Sequence, residues 1–306
     1  MKKLPPIELM EDIAIELGVD HAFIEKDWFA VQTLMIISSI SELDIVFTGG
    51  TSLSKGFGLI KRFSEDLDFR IINSSKLTRK ERKSIRTNIF SKLRNIDYLS
   101  IVDTSIKSRN ESKFFSFNIE YPFRSSRSMA LRPYLKLEFS FEEVQQRTEL
   151  KPIQSFVTEL TKKQEIDCKV NTISPVETAA DKFCALLWRI DIKDRTFDIG
   201  TPQNDPTIMR HLHDLSALET LVVEDNHLFV SLVHSLFEKD KNRGGKRREE
   251  SVKELADKTS IKLKEDILYK QEYTKFVEAM SYAFENEIIS FQHGINSFKI
   301  ITDLFL

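Results

Sequence analysis

The stretch that most constrains this chain runs from Phe47 to Arg70 and reads FTGGTSLSKGFGLIKRFSEDLDFR. The short apolar run Ile45 to Phe47 predicts a strand that leads into a turn at Gly49-Gly50. A short helix is predicted after the turn, from Leu53 to Phe57. In Asp66 to Ile71, polar and apolar residues alternate, which is typical of a second strand.

Two carboxylates, Asp66 and Asp68, lie two residues apart in this second strand. Alternate residues of a strand point to the same side, so both carboxylates should project together, while Leu67 and Phe69 face the other way. Carboxylates that close repel each other unless they are protonated or bridged by a cation. Mg²⁺, or Mn²⁺ in its place, binds one or two carboxylates together with substrate phosphates. The pair therefore predicts a metal site, although lone pairs of this kind also occur on solvated strands.

The turn before the short helix carries Gly49, Gly50, Thr51 and Ser52. Backbone N–H groups and hydroxyl groups at such a turn can bind a phosphate. A glycine pair alone indicates no more than a turn. Together with the carboxylate pair, however, the turn provides the two parts that a nucleotidyl-transfer site needs.

As a whole, GGTSLSKGFGLIKRFSEDLDF resembles the AbiEii family, which includes the MenT toxins and lies within the minimal nucleotidyltransferase superfamily. The members are nucleotidyltransferase toxins of type IV-style toxin–antitoxin systems. The resemblance implies an α+β fold with a nucleotidyltransferase-like mixed β-sheet core flanked by helices. A helical C-terminal domain is expected to follow this core.

Arg62 and Ser64 flank the carboxylate pair and are expected to contact the substrate. A further strand is predicted over Arg132 to Ser140, and its Glu138 matches the third carboxylate of the superfamily. That carboxylate is expected to be a metal ligand or the base for the attacking hydroxyl. The alternative is a surface glutamate paired with a nearby lysine.

A helix is predicted from Ser174-Pro175 to about Arg189, with serine as the N-cap and proline in the first turn. Within it, Lys182 lies between apolar residues, and a lysine in that setting usually extends its ammonium group to solvent. The segment nevertheless resembles the S-P-E-x-x-x-x-K helix of the family. By that resemblance, Lys182 is expected to contact the nucleotide phosphates.

The segment Arg210 to Leu215 resembles the R-D-x-x-D-L motif of the family, with Asp214 in the place of its second acid. Asp214 is expected to hold Lys182 or to help bind substrate. His211 stands where the family has its first acid, so no role is assigned to that position. His211 and His213 diverge by roughly 200° on a helix, which argues against a zinc pair and predicts surface or interface histidines.

The resemblance implies an enzyme that transfers a nucleoside monophosphate from a nucleoside triphosphate to an RNA acceptor. The 3′ end of tRNA is the expected acceptor, and its blockage would stop translation in growth arrest or phage defence. A cognate antitoxin protein is the expected partner. Two alternatives stay open: transfer to a protein or a small molecule, and an inactive binding module. The intact GGTS turn, carboxylate pair, Lys182 and Asp214 argue against the second alternative.

The 306 residues suffice for one large or two ordinary domains, and we place the boundary between a core at 1–174 and a helical domain at 175–306. The net charge is only −2, so any contact with nucleic acid requires a local basic patch. The best candidate is the loop Lys239 to Arg248, for which a merely solvated loop is the alternative.

Three charged residues, Glu25-Lys26-Asp27, are expected on the solvated face of a helix and receive no chemical role. The cysteines, Cys168 and Cys184, form no C-x-x-C motif and suggest no disulfide framework, and Cys184 is expected in the core. The N-terminus has no signal-peptide pattern, and no apolar run approaches the ~20 residues of a membrane span. These features predict a cytoplasmic protein.

The remaining pattern predicts further helices and strands. They are a helix over Ile7 to Leu17, a helix over His21 to Ser39, a basic helix over Thr78 to Leu93, a hairpin of Leu99 to Ile106 with Phe114 to Tyr121, an edge strand over Lys169 to Ile173, and helices from about Asn226 onward.

Overall fold

A computed structural model of the chain describes residues 3–124, 131–162, 165–241 and 249–305. The chain forms two compact units. The first consists of Met1–Gly58 with Phe63–Ile173, and the second of Leu59–Arg62 with Ser174–Leu306.

The first unit is built on a seven-stranded sheet in the order β3-β4-β5-β2-β1-β7-β6. Its strands are β1 Ile45–Thr48, β2 Asp66–Ile71, β3 Ser100–Arg109, β4 Phe114–Glu120, β5 Leu135–Ser140, β6 Glu149–Ile153 and β7 Cys168–Thr172. The pairs β2/β5 and β1/β7 are parallel, and the other neighbouring pairs are antiparallel. The expected mixed sheet of an α+β fold is therefore confirmed, as is the predicted β3/β4 hairpin.

The predicted edge strand near residue 170 is wrong in one respect. This strand, β7, lies inside the sheet between β1 and β6. The edge strand on this side of the sheet is β6. It was missed because Glu149–Ile153 reads ELKPI, with charged residues and a proline. Pro152 lacks an N–H group, and an edge strand is the position in a sheet that tolerates this loss.

The helices of the first unit lie before and between its strands in the sequence. They are α1 Ile7–Leu17, α2 His21–Ser38, α3 Gly49–Phe57, α4 Arg79–Arg94 and α5 Phe156–Thr161. Local signals explain their ends: Gly18 closes α1 with φ +66°, and Thr78 forms a capping box with Glu81 at the start of α4. Helix α3 begins at Gly49, four residues before the predicted Leu53, so the glycine turn is itself the first turn of the helix.

Aromatic rings fill the apolar side of the sheet. The ring of Phe139 lies 4.8 Å from those of Phe69 and Phe115, and Phe90 of α4 lies 4.8 Å from Phe117. These apolar residues alternate with polar ones along β2 and β5. Because alternate side chains leave a strand on opposite sides, the other side of the sheet is available for polar residues.

The expectation that Glu25, Lys26 and Asp27 form a solvated helix face is wrong. Their exposed fractions are 1%, 4% and 8%. Helix α2 is buried along almost its whole length, and Trp28 and Phe29 beside the triplet are buried as well. Buried charges require partners of opposite charge, so the triplet must be paired within the first unit.

The second unit is helical, as expected for the C-terminal part of the fold. Its helices are α6 Pro175–Asp191, α7 Met209–Ala217, α8 Glu219–Glu224, α9 Asn226–Asp240, α10 Val252–Glu265, α11 Ile267–Phe276 and α12 Phe291–Thr302. The ring of Phe183 in α6 lies 5.7 Å from Phe229 and 5.3 Å from Phe305 at the centre of the unit. Cys184 is buried beside this cluster, as predicted, and its Sγ lies 3.8 Å from the carbonyl oxygen of Val233.

Most of the basic loop predicted from Lys239 to Arg248 lies outside the described residues, because residues 242–248 are not among them.

In the part of the chain that is described, no helix combines the length and apolar character that crossing a membrane requires.

Candidate active site

The predicted carboxylates lie on one side of neighbouring strands. Strands β2 and β5 run parallel, with Asp66 opposite Lys136 and Asp68 opposite Glu138. Residues at the same register on paired strands project to the same side of a sheet. Asp66, Asp68 and Glu138 therefore share the polar face of the sheet, although they are separated along the chain.

This polar row extends across four strands. Thr48 of β1 is opposite Asp68, and Ser116 of β4 is opposite Glu138. The side chains of Asp66 and Glu138 keep 27% and 29% of their surface exposed, so solvent reaches the row. A ligand can therefore approach these carboxylates from the polar side of the sheet.

Gly49 lies against Asp68. The residue has φ +78°, and a Cβ placed there would lie 2.2 Å from Asp68 Oδ2. A contact that short is impossible, and L-residues with a side chain rarely adopt a positive φ. Both constraints require glycine at the point where α3 begins next to the carboxylate.

The hydroxyl groups of Thr51 and Ser52 are used within the protein. Thr51 Oγ1 donates to the carbonyl oxygen of Asp66 at 2.6 Å, and Ser52 Oγ donates to that of Gly49 at 2.8 Å. The Thr51 hydroxyl holds the turn to β2 and also lies 3.5 Å from the carbonyl oxygen of Ser64, while the Ser52 hydroxyl bonds within the turn. A phosphate at this turn would therefore meet the backbone N–H groups of the first turn of α3, which the side chain of Thr48 does not cap.

Basic side chains accompany the carboxylates. Arg132 Nη1 lies 3.1 Å from Asp66 Oδ1, and Lys136 forms an ion pair with Glu138. The lysine-paired surface glutamate, weighed as the alternative for Glu138, is thus a contact that the structure contains. The expected function of Glu138 as ligand or base stays a prediction.

The donor set fits Mg²⁺ or Mn²⁺. Among the described residues, no group of three or more His, Cys, Asp or Glu side chains is arranged to hold a metal ion. Asp66 and Asp68 nevertheless share one face, and Asp66 Oδ1 has the ion pair with Arg132 but no hydrogen bond. Two carboxylates completed by substrate phosphates and water are a common Mg²⁺ site, whereas a preformed all-protein cage is not.

Lys26 connects the segments that lead into the two carboxylate strands. Its Nζ donates to Glu65 Oε1 and to the carbonyl oxygen of Arg132, both at 2.8 Å. Burial lowers the pKa of Lys26 despite the adjacent Glu65 carboxylate. Burial alone would raise the pKa of Glu65, but Lys26 and Arg132 together hold that pKa below its ordinary value. Lys26 thus fixes the residues that precede β2 and β5.

The other two members of the charged triplet also bind distant segments. Asp27 Oδ1 lies 2.6 Å from Lys55 Nζ in α3, and its Oδ2 accepts from the backbone N–H of Phe156 at 2.7 Å. Glu25 Oε1 lies 3.1 Å from Arg124 Nε. The sequence contained a signal of this role, namely three consecutive charges inside an otherwise apolar helix.

Asp214 is the centre of an ion cluster in the second unit. Its carboxylate is completely buried and binds Arg62 twice, at 2.8 Å from Nε and 2.6 Å from Nη2. Lys182 Nζ lies 2.7 Å from Oδ2, and His213 Nδ1 lies 3.0 Å from Oδ1. Burial would raise the pKa of Asp214, but Arg62 and Lys182 hold that pKa well below its ordinary value.

The cluster changes the interpretation of several residues. Arg62, expected to contact substrate, has its guanidinium buried against Asp214. Lys182 is buried rather than extended into solvent. His213 is buried, so its expected surface position is wrong, and burial lowers its pKa. His211 Nδ1 is also buried, and burial holds the pKa of that imidazole well below its ordinary value.

Comparisons with known proteins agree with this arrangement. No curated protein matches the sequence. The structure is similar to MenT4, a nucleotidyltransferase toxin from Mycobacterium tuberculosis H37Rv, with a TM-score of 0.58 over 97% of this chain and 99% of that one. The two sequences are 13% identical, so this similarity concerns the fold alone.

A family model identifies the chain more directly. The model for the nucleotidyl transferase AbiEii toxin of type IV toxin–antitoxin systems matches residues 36–297. The match covers most of the chain, including both carboxylate strands and the buried cluster around Asp214. The chain therefore belongs to the AbiEii family of nucleotidyltransferase toxins.

Proposed function

We propose that this nucleotidyltransferase toxin uses Mg²⁺ or Mn²⁺ to transfer a nucleoside monophosphate from a nucleoside triphosphate to the 3′ end of a tRNA, and so blocks translation. The observation that carries the proposal is the carboxylate pair Asp66 and Asp68 on one strand face, with the glycine start of α3 against Asp68. A phosphate-binding turn beside a metal-binding pair is the minimum that such a transfer requires.

Each part of this site has a proposed task. A bound divalent cation would hold the triphosphate and lower the barrier to attack at the α-phosphorus. Asp66 and Asp68 would hold that cation, and backbone N–H groups from Gly49 to Ser52 would bind phosphate oxygens. Glu138, opposite Asp68, would complete the metal shell or accept the proton of the attacking hydroxyl.

The residues of the second unit have proposed tasks as well. Lys182 would neutralise negative charge that develops on the phosphates. Asp214 would fix the ammonium group of Lys182, which lies 2.7 Å from it. Arg62 would act by orienting Asp214, since its Nε and Nη2 both donate to that carboxylate. Ser64 is proposed to contact substrate next to Asp66.

The proposed biological setting rests on the family. AbiEii proteins are the toxins of type IV toxin–antitoxin systems, so we propose a cognate antitoxin as partner. Modification of tRNA ends would arrest growth, which suits phage defence in the cytoplasm. The tRNA acceptor is supported by the resemblance to MenT-like toxins.

The testing experiment is a transfer assay with purified protein, total tRNA, Mg²⁺ and each labelled nucleoside triphosphate in turn. We compare wild type with Asp68→Asn and, as a matched control, Asp103→Asn, which changes an exposed carboxylate of β3 paired with Arg94. We expect label in tRNA with wild type and Asp103→Asn only. Label in protein or in small molecules would replace the proposed acceptor, and label nowhere would favour an inactive binding module.

A further inference from the structure

Arg132 lies directly against one of the two metal-binding carboxylates. It precedes β5, with Nη1 3.1 Å from Asp66 Oδ1 and Nη2 3.4 Å from Oδ2. Its side chain is 31% exposed, and that of Asp66 is 27% exposed. The guanidinium group thus faces the polar side of the sheet and remains accessible to a ligand.

The backbone of Arg132 is held in place by buried partners. Its N–H donates to Glu65 Oε1 at 2.7 Å, and its carbonyl oxygen accepts from Lys26 Nζ at 2.8 Å. Glu65 and Lys26 are almost fully buried. The backbone of Arg132 is therefore fixed by a network inside the first unit, while its guanidinium group, with Nε 3.4 Å from Glu65 Oε2, stays 31% exposed at the site.

A cation in this position has two consequences. It competes with a divalent cation for the Asp66 carboxylate, because both are attracted to the same oxygens. It also places a planar set of N–H donors at the point where a triphosphate would meet the metal-binding pair, and guanidinium groups bind phosphate oxygens in pairs of parallel hydrogen bonds. Lysine offers a point charge without this geometry.

We propose that Arg132 is a further nucleotide-binding residue, which holds Asp66 in the free protein and donates to the phosphates of the nucleoside triphosphate once a divalent cation binds Asp66. This inference rests on the proposed function and adds a residue to the same site. Lys26 and Glu65 act through Arg132 and are positioning residues.

Two binding measurements on the full chain test the proposal without turnover. The first is Mn²⁺ binding in the absence of nucleotide, followed by electron paramagnetic resonance. The second is calorimetric binding of non-hydrolysable α,β-methylene nucleoside triphosphates in Mg²⁺. Wild type is compared with Arg132→Gln, Arg132→Lys and the control Arg124→Gln. Arg124 matches Arg132 in exposure and in its pairing, since its Nε lies 3.1 Å from Glu25.

The proposal predicts opposite shifts for the two ligands. Arg132→Gln should bind Mn²⁺ about five-fold more tightly, because a partly exposed competing cation has been removed. The same variant should bind the nucleotide about ten-fold more weakly, because charge-assisted hydrogen bonds to phosphate are lost. Arg132→Lys should fall between wild type and Arg132→Gln for both ligands, and Arg124→Gln should match wild type.

Several results would overturn the proposal. Unchanged Mn²⁺ affinity, or nucleotide affinity within about two-fold of wild type, would remove Arg132 from the site. If circular dichroism shows that Arg132→Gln is misfolded, the Mn²⁺ and nucleotide affinities of Arg132→Lys test the proposal instead. A wild-type protein that binds no nucleoside triphosphate would instead refute the proposed function, and the inference with it.

Discussion

The carboxylate of Asp68 lies so close to Gly49 that no side chain fits between them. A Cβ at position 49 would lie 2.2 Å from Oδ2 and 3.0 Å from Cγ of Asp68. The start of α3 and the carboxylate strand are thereby fixed against each other. This contact couples the geometry of the turn at Gly49 to that of the Asp66–Asp68 pair.

Substitution of Gly49 by alanine should abolish transfer. We expect Gly49→Ala to displace the Asp68 carboxylate and to lower the transfer rate by at least about 100-fold, because small displacements of catalytic groups are that costly. The positive φ should additionally cost roughly 1–3 kcal/mol of unfolding free energy. The measurements are the tRNA transfer rate and urea unfolding.

Gly58→Ala provides the matched control for backbone strain. Gly58 also has a positive φ, +65°, but nothing lies within 4 Å of a Cβ built there. Backbone strain should lower the unfolding free energy of Gly58→Ala about as much as that of Gly49→Ala. Its transfer rate should stay at the wild-type value. If Gly49→Ala transfers as fast as Gly58→Ala, the contact with Asp68 has no catalytic importance.

The parts of the site that the sequence predicts are those with short-range signals. Asp66 and Asp68 share a face because strand residues two apart always do, and the glycine pair lies next in sequence to the residues that predict its helix. The placement of Glu138 beside Asp68 required the resemblance to a family, because the pairing of β2 with β5 has no local sequence signal. The order of strands at β6 and β7 was missed for the same reason.

The residues that the sequence did not predict are joined over long separations. Lys26 is 39 residues from Glu65 and 106 from Arg132. A charged triplet on a helix usually indicates a solvated face, and only the tertiary structure shows that α2 is surrounded by protein. Likewise, the pairing of Arg62 with Asp214 spans 152 residues, and neither segment indicates its partner.

The buried Lys26–Glu65 pair should show strong energetic coupling. Lys26→Met leaves a buried carboxylate without its main partner, and we expect a loss of roughly 3 kcal/mol or more of unfolding free energy. Glu65→Gln should also destabilise, because it leaves the ammonium group buried. The double variant should recover part of the loss, since uncharged groups need no partner. A double-mutant cycle by urea unfolding measures the coupling, and additive losses would contradict this assignment.

Substitutions of Lys182 and of Asp214 should differ in their effects on catalysis and on stability. Lys182→Met keeps the contact of Arg62 with Asp214, so the unfolding free energy should change by less than about 1 kcal/mol. Its transfer rate should nevertheless fall by about 100-fold or more, because the cation proposed to stabilise phosphate charge is lost. Asp214→Asn removes the only carboxylate that binds both cations in this cluster among the described residues, and should cost roughly 3–5 kcal/mol.

Thermal unfolding and the transfer assay distinguish these two variants. Lys299→Met serves as the control for loss of a lysine, because Lys299 pairs with Asp303 at an exposed position. It should change neither quantity appreciably. Equal destabilisation by Lys182→Met and Asp214→Asn would show that Lys182 is a structural cation rather than a catalytic one.

The buried histidine of the cluster should make stability depend on pH in the neutral to mildly acidic range. Burial lowers the pKa of His213 below its ordinary value of about 6.5, so the unfolded chain binds more protons than the folded one as pH falls from 7 to 5. The contribution of the neutral His213 side chain to stability is therefore fully present above about pH 6.5. Below that pH, protonation of the unfolded chain lowers the unfolding free energy by up to about 1.4 kcal/mol per pH unit. His213→Gln should flatten that slope in urea unfolding, whereas His227→Gln, at an exposed position, is the matched control. A slope that His213→Gln leaves unchanged would assign the pH dependence to other groups.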